Sequence, residues 1–170
     1  MAIPKSDLPV SYKDITEAAQ LLSGVVVQTP LLESSTLNKQ VGGRLLFKAE
    51  TLQITGSFKF RGAYNHISRL DASMKKNGVV AYSSGNHAQG TAAAAHCCET
   101  PALIVMPKDA PEVKKHGTAC WGAEIVNYDR YGKETREEIA GQIAEDRGLT
   151  IVKPYDDRFI MAGQGTAGVE

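Results

Sequence analysis

VVAYSSGNHAQGTAAAAHCCETPALIVMPKDAPEVKKHGTACWGAEIVNYDRYGKETREEIAGQIAEDRGLTIVKPY (residues 79–155) is the stretch that decides the fold. It repeats one pattern. Short apolar runs, VVAYSS (79–84), PALIVMP (101–107), EIVNYD (124–129) and TIVKPY (150–155), each have the length of one strand. Between them lie NHAQGTAAAAHCC (86–98), the Pro-initiated PEVKKHGTACW (111–121) and the charged GKETREEIAGQIAEDRG (132–148), each long enough for a crossover helix. Continuous apolar strands alternating with helices predict an α/β fold with a parallel open sheet and helices on both faces. The strand starts lie 22 to 26 residues apart, which fits consecutive βα units; the unlike helices argue against a solenoid. Gly148 is placed to end the third helix, with Arg147 in its last turn.

The flanks are less regular. Ser11 and Asp14 predict a capped helix through about Leu22. GRLLFKAE (43–50) reads as a strand, and Ser57 reads as the N-cap of a helix through about Leu70. DDRFIMAGQGTAGVE, at the C-terminus, reads as the opening of a helix without a stop signal, so a truncated chain or one module of a larger enzyme is expected.

Composition narrows the class. The 170 residues suffice for one ordinary domain, and 42% hydrophobic with 22% charged residues is typical of a globular protein. Lysine plus arginine balances aspartate plus glutamate at 19 each, which argues against nucleic acid or an anionic membrane as partner. The opening segment, with Lys5, Asp7, Lys13, Asp14 and Glu17, lacks the apolar stretch of a secretory signal, so the cytosol is the expected compartment. Cys97, Cys98 and Cys120 show no metal-ligand spacing and are expected to be reduced, partly buried thiols. His66, His96 and His116 likewise have no partner at ligand spacing, so no metal site is expected.

Three segments carry candidate chemistry. In GSFKFRGA, Lys59 falls in the first turn of a predicted helix, where the dipole and partial desolvation would lower its pKa and favour the imine-forming neutral amine. Phe58 beside it offers an aromatic wall to a flat ring. In SSGNH (83–87) a strand ends, Gly85 permits a tight turn and a helix begins near Asn86. Backbone N–H groups there suit a carboxylate or phosphate, although Asn86 also reads simply as an N-cap and Ser84 as a turn residue. GQGTAG (163–168) matches the dinucleotide fingerprint in letters, but no strand directly precedes it, so close helix packing is the better reading.

Taken together the segments resemble a known family. Lys48, Glu50, Gln53, Gly56, Ser57, Phe58, Lys59, Arg61, Gly62 and Ala63 are followed by SSGNHAQG (83–90), MPKDAPEVK (106–114), GAEIV (122–126) and AGQGT (162–166). From about Ser11 to Glu170 this is similar to the serine/threonine dehydratase and serine racemase family of fold-type II pyridoxal-phosphate enzymes. The resemblance implies that Lys59 forms the Schiff base with pyridoxal 5'-phosphate and later removes the substrate Cα proton. Phe58 would pack on the cofactor ring, and Asn86 would hydrogen-bond its 3-hydroxyl oxygen. Ser83, Ser84, Gly85, Asn86 and His87 would receive the substrate carboxylate, and Ser84 would handle the proton on the opposite face in a racemase.

The implied reaction is elimination of water from serine, threonine or a 3-hydroxyaspartate to an aminoacrylate, whose hydrolysis gives a 2-oxo acid and ammonia. A serine racemase and an inactive fragment are the alternatives. Phe60 stands where cysteine-synthase-like members have aspartate, which favours dehydratase or racemase. On the family's plan residues 79–155 form the complete small domain, while 1–78 and 156–170 form only part of the large one. The glycine-rich phosphate loop, the divalent-cation ligands and the partner of the pyridine nitrogen would fall beyond Glu170. A small amino-acid substrate and a homodimer are also implied.

Overall fold

The computed structural model describes residues 8–170. Residues 1–7, which include Lys5 and Asp7 of the segment read for a leader, lie outside the described residues.

Helix α1 (Tyr12–Leu22) starts as expected, with a reciprocal capping box between Ser11 and Asp14. Strand β1 (Leu31–Glu33) and helix α2 (Ser35–Val41) follow, neither legible in the sequence. Strand β2 (Leu46–Lys48) lies within the predicted GRLLFKAE run but pairs antiparallel with β1, Leu32 opposite Phe47. The parallel pattern expected for the chain therefore does not extend to this two-stranded sheet, because α2 simply returns the chain alongside itself.

Helix α3 (Lys59–Ile67) begins two residues after Ser57. Phe58 already has helical backbone angles and Ser57 is extended, so the Ser57 hydroxyl does not cap the helix as predicted. The helix also stops short of Leu70, because Asp71 caps a separate short helix, α4 (Ala72–Asn77).

From residue 79 the sequence pattern holds. Strand β3 (Val79–Tyr82), helix α5 (Asn86–Cys97), strand β4 (Ala102–Pro107), helix α6 (Glu112–Ala119), strand β5 (Glu124–Tyr128), helix α7 (Arg136–Arg147) and strand β6 (Thr150–Ile151) alternate. The four strands form one parallel sheet in the order β5-β4-β3-β6. Val79, Ala81, Ile104 and Met106 pack towards α5 on one face; Val80, Leu103 and Val105 pack towards Ala140 and Ala144 of α7 on the other. This period-2 alternation between two covered faces is why the strands read as continuous apolar runs. Gly148 ends α7 in the left-handed conformation, φ 66°, as expected.

Helix α5 is apolar nearly all round because it is a middle layer. Its alanines 92–95 are fully or almost fully buried between the sheet and α3. Helix α8 (Arg158–Gly165) then crosses α3 at two glycines. A Cβ on Gly163 would lie 2.6 Å from the Arg61 carbonyl, and one on Gly62 would lie 2.7 Å from that of Ile160. GQGTAG thus closes a helix and continues into a 3₁₀ turn, Thr166–Gly168. The close-packing reading holds, and a dinucleotide site is excluded here because a helix, not a strand, precedes Gly163.

The cysteines are free, but Cys97 and Cys120 are exposed and only Cys98 is half-buried. Among the described residues no helix is long and apolar enough to cross a membrane, and no group of three or more metal-ligating side chains is gathered.

Candidate active site

Lys59 is positioned by a buried ionic network two residues further along α3. Arg61 is fully buried and lies bidentate on Glu50, with Nε–Oε2 and Nη2–Oε1 both 2.8 Å. Its Nη1 also donates to Glu170 at 2.6 Å and to the Thr166 hydroxyl at 3.2 Å. Lys48 joins Glu170 at 2.6 Å and donates to the Thr29 carbonyl. A buried guanidinium is tolerable only when its donors are satisfied in this way. Gln53 clamps Val27 through both ends of its amide, accepting from the backbone N–H at 3.0 Å and donating to the carbonyl at 2.8 Å. Lys48, Glu50, Gln53 and Arg61 were legible only as letters of a motif; the structure makes them the frame that holds the start of α3.

Gly90 joins that frame to the second motif. A Cβ there would sit 3.0 Å from the Lys59 carbonyl carbon and from the Phe60 nitrogen. Only a glycine lets α5 pass so close to the first turn of α3. Lys59 and the SSGNH loop are thereby brought to the same end of the molecule, at the carboxyl end of β3, where open α/β sheets place ligands.

The loop is pre-shaped. The Gly85 N–H donates to the Ser83 hydroxyl at 3.2 Å, a local turn that fixes the approach to α5. Gly85 occupies the N-cap position of α5 without a side-chain cap, and a Cβ there would meet nothing within 4 Å, so the mouth of the loop is open. The first-turn amides of α5 therefore suit an anion. Asn86 is exposed, and its side-chain oxygen accepts from Lys114 Nζ at 3.2 Å. Ser84 is half-buried at the turn. Asn86 is the first residue of α5, which disposes of the simple N-cap reading.

The segment after β6 closes the site from the other side. Lys59 Nζ donates to the Pro154 carbonyl at 2.7 Å, and His87 Nε2 donates to the Val152 carbonyl at 3.0 Å. These two carbonyls were missed, because backbone acceptors leave no trace in a sequence. They also explain why β6 is only two residues long rather than the predicted 150–155. Pro154 has no N–H, and the chain here turns its carbonyls to α3 and α5.

The electrostatics suit amine chemistry. Burial lowers the pKa of Lys59, enlarging its neutral, nucleophilic fraction. Phe58 is partly exposed, with its ring centroid 5.2 Å from Lys59 Nζ. His87 is buried and its pKa is pushed down to about 4, first by desolvation and further by the charges of Lys59 and His66; the Val152 hydrogen bond offsets only part of this. The ring is thus neutral, with its proton on Nε2. Its side chain faces the protein interior, so only its backbone can serve the loop as expected.

Three buried polar atoms near this site find no partner within the chain: Ser57 Oγ, Thr55 Oγ1 and His87 Nδ1. Thr55 also carries a positive φ of 64°, directly before Gly56 at 68°. Strain and unsatisfied polar atoms cluster at ligand sites. A desolvated lysine amine and an accessible aromatic ring suit the aldehyde and the ring of pyridoxal phosphate, while the open helix N-terminus suits a carboxylate. The residues present fit pyridoxal phosphate.

Comparison with known proteins agrees. A family model described as pyridoxal-phosphate dependent enzyme matches residues 22–170. An L-threo-3-hydroxyaspartate ammonia-lyase from a Pseudomonas species is 50% identical over 94% of this chain and 50% of that protein. A serine racemase from Schizosaccharomyces pombe is 46% identical over 94% of this chain and 49% of that protein. The solved structure of maize serine racemase superposes with a TM-score of 0.91 at 36% identity, covering 95% of this chain and 49% of that one. The chain spans about half the length of the curated relatives it matches.

Proposed function

This chain belongs to the pyridoxal-phosphate-dependent enzyme family, and from that premise we propose that it carries the reactive-lysine half of an ammonia-lyase active site. The substrate is a small β-hydroxy amino acid: L-threonine, L-serine or a 3-hydroxyaspartate. The observation that carries this reading is the Lys59 amine, desolvated and held 2.7 Å from the Pro154 carbonyl beside the open N-terminus of α5. The 50% identity to a hydroxyaspartate ammonia-lyase supports the substrate class.

Lys59 would hold the cofactor through its aldehyde carbon, Phe58 would flank the ring and Asn86 would meet the ring 3-oxygen. Bound there, pyridoxal phosphate supplies the electron sink that acidifies the substrate's Cα–H bond. The chain's own residues do the rest. Ser83, Ser84, Gly85, Asn86 and His87 present the loop and first-turn N–H groups that orient the substrate carboxylate. The Lys59 amine would take the Cα proton, the β-hydroxyl would leave as water, and addition of a second water to the resulting enamine would give the 2-oxo acid and ammonia. The lowered Lys59 pKa places more of this base in its neutral form near neutrality.

Serine racemisation is the second reading, supported by the 46% identity to the yeast racemase and by Ser84 standing on the loop that would face Cα. In this reading Ser84 manages the proton on the face opposite Lys59. Residues 79–155 would be the complete small domain, with 1–78 and 156–170 contributing to a large one. A cytoplasmic setting and a homodimer complete the proposal.

The test is covalent. Incubation with pyridoxal phosphate, borohydride reduction and peptide mapping should label Lys59 ahead of the other lysines, and Lys59→Ala should remove that label. A label spread evenly over surface lysines would overturn the assignment. In the assembled enzyme, Ser84→Ala should abolish D-serine formation while sparing the 2-oxo acid if the second reading holds.

A further inference from the structure

Lys114 of α6 is a cation with a neutral partner at the mouth of the candidate active site. Its Nζ donates to Asn86 Oδ1 at 3.2 Å, an acceptor that leaves the charge uncancelled. The acidic side chains closest to it in sequence are taken by other cations: Glu112 holds Lys115 at 2.8 Å, and Asp109 holds Arg130 at 3.0 Å. Helix packing puts the amine there. One turn further along α6, Gly117 lies against Gln89, itself one turn further along α5; a Cβ on Gly117 would come within 2.6 Å of the Gln89 amide nitrogen. The same register sets Lys114 beside Asn86. Asn86 is exposed and a Cβ on Gly85 would meet nothing within 4 Å, so an incoming molecule reaches Lys114 and the first-turn amides of α5 together.

We propose that Lys114 selects the substrate: its ammonium receives the second carboxylate of a 3-hydroxyaspartate, so the site favours a dicarboxylic substrate over serine and threonine. This rests on the proposed function, in which the SSGNH loop holds the α-carboxylate. Only two carbon atoms separate the β-carboxylate from that group. A molecule anchored at the first turn of α5 therefore carries its second anion to the surroundings of Asn86, where Lys114 stands. Serine has a hydrogen in that place and threonine a methyl, and either leaves the ammonium with Asn86 and water. Exchanging a neutral amide oxygen for a carboxylate gains the difference between a neutral and a charge-assisted hydrogen bond, which is about twofold in strength.

The test uses the 170-residue chain with pyridoxal phosphate and two acids of matching configuration that lack an amine and so do not react with the cofactor. Tartrate presents both carboxylates of 3-hydroxyaspartate; glycerate presents only the one of serine. Dissociation constants are read from the amide NMR shifts of residues 83–87. The parent chain should bind tartrate about 10-fold more tightly than glycerate, as a charge-assisted hydrogen bond at an accessible site allows. Lys114→Gln should weaken tartrate about 10-fold and leave glycerate unchanged, and Lys114→Arg, which keeps the charge, should keep the preference. Equal loss for both acids would make Lys114 a support for Asn86 and overturn the inference. So would a preference that survives Lys114→Gln, or no saturable binding of either acid. Borohydride labelling of Lys59 is followed in the same samples. A retained label beside any of those outcomes sinks selection by Lys114 alone, whereas no label in the parent chain sinks the proposed function.

Discussion

The two sheets of this molecule have nearly the same strand composition and opposite fates. Ile104 of β4 lies between β3 and β5 with no exposed surface; Leu46 of β2 is apolar, in a strand, and half in water. What differs is cover. The parallel sheet has α5 on one face and α7 on the other, while the antiparallel pair has neither face closed. Hydrophobic stabilisation follows area removed from water and not residue type. The comparison therefore predicts that stability resides in the parallel sheet and the α3–α5–α8 layer packed on it, and that the two-stranded sheet contributes little until something covers it. The candidate active site is built from the stable side.

The sharpest way to break this contrast is at the α3–α8 crossing. Gly163→Leu would drive a Cβ to 2.6 Å from the Arg61 carbonyl and 2.8 Å from Gly62 Cα, both rigid backbone. The expected cost exceeds about 4 kcal/mol and removes the cooperative urea transition. Gly141→Ala in α7, where a Cβ meets nothing within 4 Å, should instead raise stability by up to about 1 kcal/mol. Next, Ile104→Ala should cost about 3 kcal/mol, read as a lower urea midpoint at unchanged slope.

His87 offers a comparable perturbation without mutation. Its pKa is about 4 in the folded chain and near 6.5 when unfolded. Between these values the unfolded chain binds more protons, so stability falls as pH drops through that window and is fully present above it. The loss should approach about 3 kcal/mol by pH 4, and His87→Gln, which keeps a donor towards the Val152 carbonyl, should flatten the dependence. An unchanged slope in the variant would show that other groups carry the acid sensitivity.

The sequence made half of this legible. Strands and helices from residue 79 onward were readable because a doubly covered parallel sheet imposes continuous apolar runs and long crossovers. Lys59 and the SSGNH loop were readable as a pair only through their resemblance to a family. What stayed hidden depends on backbone geometry: the Pro154 and Val152 carbonyls, the Gly90 approach to Lys59, and the real start of α3 two residues after Ser57. Antiparallel pairing of β1 with β2 was hidden too, since three-residue strands give no periodicity to count.

The smallest expected effect is the most informative about that sheet. Leu46→Ser in the 170-residue chain removes a side chain that is already half in water, so the hydrophobic contribution at stake is a fraction of the roughly 1.5–3 kcal/mol of a fully buried leucine. A loss of at most about 0.5 kcal/mol in urea unfolding is expected, beside about 3 kcal/mol for Ile104→Ala. A cost for Leu46→Ser as large as that of Ile104→Ala would mean that strand membership and not cover sets what an apolar side chain contributes, and the contrast between the two sheets would fall.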